Sequence, residues 1–229
     1  MDGRVIVVYW NYKVNLLTSD GKVQKQLPIS CGVSRVTQIN QNTLAISYTY
    51  KKAIKIFNIE KETITKVITL DKECRGLAFS NNSLAVCLSC DEICIIDLEG
   101  NTLKKIKVSS KSYLENLVYF NDRLIYSDFH GEAVYCIGVS GTPIWEYKHL
   151  SIYRPFGLCT DIYGNVFVKD CYSHRTIVIS KDGRDSKILL GEEDGLYHPK
   201  CICLKDNESY GFICNDIGRH FTKFNIAYE

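Results

Sequence analysis

Apolar and polar positions follow one another in short bursts along this chain, and the bursts repeat. A polar turn followed by an apolar strand occurs six times: Asp2-Gly3-Arg4-Val5-Ile6-Val7, Asn42-Thr43-Leu44-Ala45-Ile46, Asn82-Ser83-Leu84-Ala85-Val86, Asp122-Arg123-Leu124-Ile125-Tyr126, Gly164-Asn165-Val166-Phe167-Val168 and Glu208-Ser209-Tyr210-Gly211-Phe212. The first apolar positions are residues 5, 44, 84, 124, 166 and 210, so the steps are 39, 40, 40, 42 and 44 residues. Self-similarity at such a period marks a repeat architecture with one supersecondary unit per repeat.

A further β-branched and aromatic strand keeps the same period, starting at Val14, Ala53, Ile93, Ala133, Thr176 and Phe221. Tight turns follow at Asp20-Gly21, Glu60-Lys61, Glu99-Gly100, Ser140-Gly141 and Asp182-Gly183, and four of the five carry the glycine that supplies positive φ. Outer strands are predicted at 23–27, 65–70, 103–108, 144–147 and 187–190, and inner strands at 36–39, 77–79, 117–120, 158–160 and 202–204. Four antiparallel strands per repeat make a propeller blade. The pattern therefore predicts an all-β, six-bladed β-propeller, a single domain over residues 1–229. Its blades fall at about 1–30, 31–70, 71–110, 111–150, 151–195 and 196–229. No helical period runs far, and no Pro- or Gly-rich linker divides the chain. The first repeat lacks an inner strand and the last an outer one, so the N-terminal blade is expected to be incomplete, with the missing strands lying before Met1.

Composition narrows the function. The net charge is +2, so no overall basic field demands nucleic acid. No run approaches the ~18 uninterrupted apolar residues of a membrane span, and the first residues lack a signal-peptide layout. Eleven cysteines, odd in number and scattered over the repeats, are expected to be reduced thiols, which suggests the cytoplasm.

Candidate chemistry is sparse. Cys87-x-x-Cys90 with Cys94 resembles half of a zinc site, but structural zinc needs four ligands and no second pair exists. The inner-strand starts carry Ser34, Arg75, Glu115, Phe156 and Lys200, which do not form a calcium or zinc set. No G-x-S-x-G, H-E-x-x-H, G-x-G-x-x-G or Walker-type loop occurs. The chain is accordingly expected to be non-catalytic, with no metal and no cofactor. A metal-dependent propeller hydrolase is the remotest alternative.

Binding is the better-supported expectation. The loops that leave the second and outer strands carry Tyr9, Trp10, Arg35, Tyr48, Lys51, Arg75, Phe129, Arg154, Tyr172, Arg175 and Arg219. Tyr, Trp and Arg are enriched at interface hot spots, and rings interleaved with cations also suit stacked bases. Glu73, Asp91, Glu92, Asp128, Glu132, Glu192, Glu193 and Asp194 break the same face and would repel phosphate. A protein partner is expected first and RNA second, with no membrane and no small-molecule cofactor.

The fifth repeat carries a family resemblance. It reads Pro155-Phe156-Gly157-Leu158, then Asp161-Ile162-Tyr163-Gly164-Asn165-Val166-Phe167-Val168-Lys169-Asp170, then Ser173-His174-Arg175-Thr176. This resembles the NHL repeat, and the last repeat echoes it in Asn215-Asp216 and Arg219-His220. The whole chain looks like the C-terminal NHL-type propeller of tripartite-motif (TRIM) proteins, in a divergent invertebrate, mollusc-like form. The resemblance implies a substrate- or partner-recognition region of a ubiquitin ligase whose RING is absent from this chain, and RNA binding in some relatives. Gly157, Gly164, Asp170, His174 and Arg175 are its structural motif residues. Asp170 is expected to accept turn amides, and Arg175 to reach a carboxylate of a neighbouring blade.

Overall fold

The computed structural model describes residues 5–9, 13–18, 20–89, 91–149, 152–199, 201–204, 210–215 and 220–226. The fold class is all-β, a six-bladed β-propeller: the described strands form six antiparallel sheets, each built from consecutive strands. The chain divides into two compact units, Met1–Ser109 and Ser110–Glu229.

The first unit holds three sheets. β1 (Val5–Tyr9), β2 (Lys13–Leu17) and β3 (Val23–Leu27) form a three-stranded sheet in that order. β4 (Arg35–Asn40), β5 (Thr43–Tyr48), β6 (Ala53–Asn58) and β7 (Thr63–Thr69) form the second sheet. β8 (Cys74–Ser80), β9 (Ser83–Leu88), β10 (Glu92–Asp97) and β11 (Thr102–Lys107) form the third. The middle strands of the second sheet are apolar on both faces because that sheet packs between the other two. Ile46, Phe57 and Tyr48 pack with Val14, Leu16 and Leu27 across the first two sheets. Ala45, Ile54 and Ile56 pack with Leu84, Val86 and Cys94 across the next pair. Outer strands are largely exposed, as in the burial pattern of β11.

The second unit repeats the plan. β12 (Leu117–Phe120), β13 (Arg123–Asp128), β14 (Ala133–Gly138) and β15 (Pro143–Tyr147) form one sheet. β16 (Pro155–Thr160), β17 (Val166–Asp170), β18 (Arg175–Ile179) and β19 (Ser186–Leu190) form the next. β20 (Cys201–Leu204), β21 (Tyr210–Asn215) and β22 (His220–Asn225) form a three-stranded sheet. Ile125, Val134 and Tyr147 pack on Val166, Val168 and Ile177, while Phe167 on the other face packs on Ile202, Ile213 and Phe224.

Two inner strands start earlier than the alternation predicts. β8 begins at Cys74 rather than Leu77, and β16 at Pro155 rather than Leu158, each through a register slip. A bulge breaks the period-2 pattern, so Arg75-Gly76 and Phe156-Gly157 do not read as strand. Each bulged segment is tied by a hydroxyl at or just past the end of the second strand of the preceding sheet. Thr49 Oγ1 donates to the Cys74 carbonyl at 2.7 Å, and Ser127 Oγ to that of Phe156 at 3.0 Å.

The turns follow local chemistry. Asn81-Asn82 and Asn121-Asp122 hold both central residues at positive φ, the geometry of type I′ hairpins. The Glu60-Lys61 turn, which has no glycine, places Glu62 at φ 52 instead.

Candidate binding site

Four loops of the second unit bring aromatic side chains together. They are 129–132 after β13, 148–154 before β16, 171–174 after β17 and 191–200 before β20. Phe129 meets Phe156 and Tyr172 edge-on at 6.1 and 6.2 Å between ring centroids. Tyr172 meets Tyr153 at 5.9 Å and His198 at 6.3 Å. His198 stands edge-on to His174 at 4.4 Å and to Tyr197 at 4.6 Å, and His174 stacks on Tyr197 at 5.0 Å. The rings form one continuous train, yet Tyr153, Tyr172 and Tyr197 are each about half exposed.

Arg154 lies in the middle of the train. Its guanidinium carbon sits 4.7 Å from the Tyr172 ring centroid, 5.2 Å from that of Phe129 and 5.4 Å from that of Tyr153. These distances lie within the range of cation–π attraction.

The backbone under the rings is held in an uncommon conformation. Arg154, His174 and His198 have φ of 61, 51 and 41°, left-handed values rare for residues with a Cβ. Arg154 and His198 each precede a proline, Pro155 and Pro199, and that position ordinarily takes extended backbone. Hydrogen bonds hold the loops there. The Tyr153 N–H donates to Asp170 Oδ2 at 3.0 Å, and the His198 N–H donates to His174 Nδ1 at 2.9 Å. An imidazole that accepts at Nδ1 keeps its proton on Nε2, and His174 Nε2 lies 3.7 Å from Glu192 Oε1.

Asp170 anchors this corner from below. Its side chain is fully buried, and Arg175 reaches Oδ2 at 3.3 Å. Arg175 therefore pairs within its own sheet, as the cross-strand partner of Asp170, rather than with a neighbouring blade as expected. Oδ1 of Asp170 has no hydrogen-bond partner among the described residues. Burial pushes its carboxyl above the usual aspartate value, against the pull of the Tyr153 amide, Ser173 and Arg175.

The remaining predicted residues disperse. Tyr48 is 1% exposed and belongs to the first unit's core. Its hydroxyl meets Ser30, and the Lys51 and Lys55 amines lie 5.5 and 4.5 Å from its ring centroid. A tyrosine ending a middle strand faces the neighbouring sheet, so it is no loop-face residue. Lys51 is exposed at the end of a 3-10 turn, Thr49–Lys51, whose first residue is buried. Arg35 lies in β4 and donates to the Ser34 carbonyl. Arg75 lies in the β8 bulge beside Glu73 at 3.4 Å. Tyr9 ends β1, while Trp10 and Arg219 lie outside the described residues. Gly157 lies in the β16 bulge. Gly164 takes φ 89 in a turn where Asp161 accepts the Tyr163 and Asn165 amides at 2.9 and 2.8 Å. Cys87 and Cys94 oppose Ile93 and Val86 in adjacent register, so they point to opposite faces and cannot share one ion. Cys90 lies outside the described residues.

Tyr153, Tyr197 and His198, which the sequence also places on the loop face, complete the cluster. Their signal was present: Tyr153-Arg154-Pro155 and Tyr197-His198-Pro199 stand one 44-residue step apart.

No family model matches this chain, and none of the curated proteins is similar to it in sequence. Solved structures do share its fold. A streptogramin B lyase is 14% identical with a TM-score of 0.72, over 100% of this chain and 81% of the other. A protein of unknown function from Bacteroides caccae is 15% identical with a TM-score of 0.76, over 98% and 90%. The virginiamycin B lyase of Staphylococcus aureus is 16% identical with a TM-score of 0.66, over 100% and 86%. At these identities the likeness establishes the six-bladed propeller and not a shared activity. Two of the three are lyases, which overturns the expectation that the chain is non-catalytic: this architecture serves enzymes, and the absence of familiar motifs does not exclude catalysis. No helix among the described residues is long and apolar enough to cross a membrane.

Proposed function

We propose that this chain is a recognition propeller that holds a protein partner on the aromatic loops of its second unit. The observation that carries the reading is the exposed ring train around Arg154. Rigid tyrosines beside an arginine give a large contact area at low conformational cost. The NHL resemblance of the fifth repeat adds a setting, the partner-recognition region of a TRIM-type ubiquitin ligase in the cytoplasm. The test is affinity capture on the intact chain, followed by direct binding of each captured protein to purified wild type and to the Tyr153→Ala/Tyr172→Ala double variant. At least a tenfold loss in the variant, with little dependence on salt, is expected. Capture that ribonuclease abolishes and that weakens steeply with salt would replace the protein by RNA.

A second reading is a lyase, as the two similar structures are named. The observation favouring it is His198, which stands edge-on to His174 at the same loops and is the residue that could serve as a base there. Incubation with a streptogramin B and mass analysis of the product tests it directly.

A further inference from the structure

Resting on the recognition reading above, we infer that Arg154 is the anchor for one carboxylate of an acidic protein segment. Of the described arginines, Arg35 donates to a carbonyl, Arg123 to the Lys181 carbonyl, and Arg75, Arg175 and Arg184 face Glu73, Asp170 and Asp182. Among the described residues no hydrogen bond or ion pair reaches the Arg154 guanidinium, which is held by ring faces alone. Stacking orients the planar group without using its five N–H donors, and those donors match a carboxylate as a fork.

The carboxylates nearby do not compete for it. Asp170 is committed to the Tyr153 amide and Arg175. Asp128 accepts from the Ser112 hydroxyl and from the Lys111 and Gly131 amides, and Glu192 faces His174. The position of Arg154 is also fixed on both sides. The Tyr153 amide before it and Pro155 after it are both registered on Asp170. At the matching position of the next repeat stands His198, whose ring packs on His174 and Tyr197. The free guanidinium is thus a single point of charge.

That singleness selects the ligand. In sequence these four loops carry the cations Lys148, Arg154 and Lys200 against the acids Glu132, Glu192, Glu193 and Asp194, so the two signs nearly balance. A balanced face offers no field to a polyphosphate backbone. One fork beside the half-exposed rings of Tyr153 and Tyr172 fits one acidic side chain flanked by an aromatic or aliphatic residue.

The test uses the full chain and a blocked dipeptide, acetyl-Phe-Glu-amide, against its Gln counterpart and phenyl phosphate. The Nε–Hε resonance of Arg154 is followed by side-chain NMR. The Glu peptide is expected to shift it saturably with a Kd on the order of millimolar, as befits so small a ligand, and the Gln peptide to bind at least tenfold more weakly. In the variants, where that resonance is gone, binding is read from the Tyr172 backbone amide: Arg154→Lys, which keeps the charge but not the fork, is expected to weaken binding severalfold, and Arg154→Gln to abolish it, with the backbone spectrum of the free protein otherwise unchanged in both. Equal binding of the Glu and Gln peptides, tighter binding of phenyl phosphate, or no shift would each overturn the anchor. The two readings fail separately. A captured protein that needs Tyr172 but not Arg154 removes only the anchor, while Glu-peptide binding without any ring-dependent partner removes only the recognition surface.

Discussion

Asp128 and Asp170 end the second strands of neighbouring sheets in the second unit, one 42-residue step apart, and both are buried. Their environments nonetheless drive them in opposite directions. Burial alone would raise both carboxyls. At Asp128 the Ser112 hydroxyl at 2.6 Å and the Lys111 and Gly131 amides at 2.7 and 2.9 Å outweigh it, and the carboxyl is held below its usual value. At Asp170 burial prevails over the Tyr153 amide, Ser173 and a long contact to Arg175, with Oδ1 lacking a hydrogen-bond partner among the described residues, and the carboxyl is raised. Depth and satisfaction of the oxygens act together: Asp170 is the more desolvated of the two and its oxygens the less satisfied. The less satisfied corner is also the one beneath Arg154 and Tyr172, where left-handed residues gather. Local strain of this kind concentrates where a fold presents a site.

The sharpest way to break the comparison is to remove one charge at a time. Asp128→Asn puts an amide where the Lys111 amide, the Ser112 hydroxyl and the Gly131 amide all need acceptors. It is expected to cost about 2–3 kcal/mol in urea unfolding at pH 7, the scale of hydrogen bonds to a charged group. Asp170→Asn keeps one oxygen for the Tyr153 amide and puts the new N–H₂ where Oδ1 lacks a partner. Its expected cost is about 1 kcal/mol. Equal costs would mean that the extra hydrogen bonds at Asp128 do not separate the two corners.

Acid separates the two with opposite signs. The folded value of Asp128 lies below the ordinary 3.8, so its contribution is complete above 3.8 and is lost as pH falls through the folded value. The folded value of Asp170 lies above 3.8, so its contribution is complete below 3.8 and is lost as pH rises through the folded value. The penalty of Asp128→Asn is therefore expected to shrink on acidification below 3.8, and that of Asp170→Asn to shrink as pH climbs above it. Unfolding free energies across pH 2.5–7 check both slopes, and parallel slopes would sink the assignment.

The propeller was legible because each repeat states its strands in the same alternation, interrupted by turns whose Gly, Asn or Asp supply positive φ. What was not legible depends on structure that alternation does not encode. The bulges at Arg75-Gly76 and Phe156-Gly157 hid the first three residues of β8 and β16. Tyr48 looked like a loop aromatic because strand ends do not announce which neighbour they meet. The Asp-x-x-Gly-Asn signature proved to be turn chemistry. Asp97-Leu98-Glu99-Gly100-Asn101, between β10 and β11, makes the same amide bonds to its Asp as Asp161 does, although it occupies a different place in its blade. The candidate site was half visible. Phe129, Arg154 and Tyr172 were named from composition, but the left-handed backbones of Arg154 and His198, which set the ring train, leave no compositional trace.

The smallest expected effect isolates the hydroxyl next to the satisfied carboxylate. Ser127 is buried, precedes Asp128 and donates to the Phe156 carbonyl in the β16 bulge. Its side chain points to the opposite face of β13 from that of Asp128, because successive residues of a strand alternate. Ser127→Ala leaves the Asp128 acceptors intact and removes one neutral hydrogen bond, so it is expected to cost about 1 kcal/mol. Because no titrating group loses a partner, that cost is expected to be the same at pH 3 and pH 7. A cost that changes with pH would show that the Asp128 corner and the bulge beneath Phe156 form one coupled network. The contrast between the two aspartates would then belong to the sheets as a whole rather than to the oxygens of each side chain.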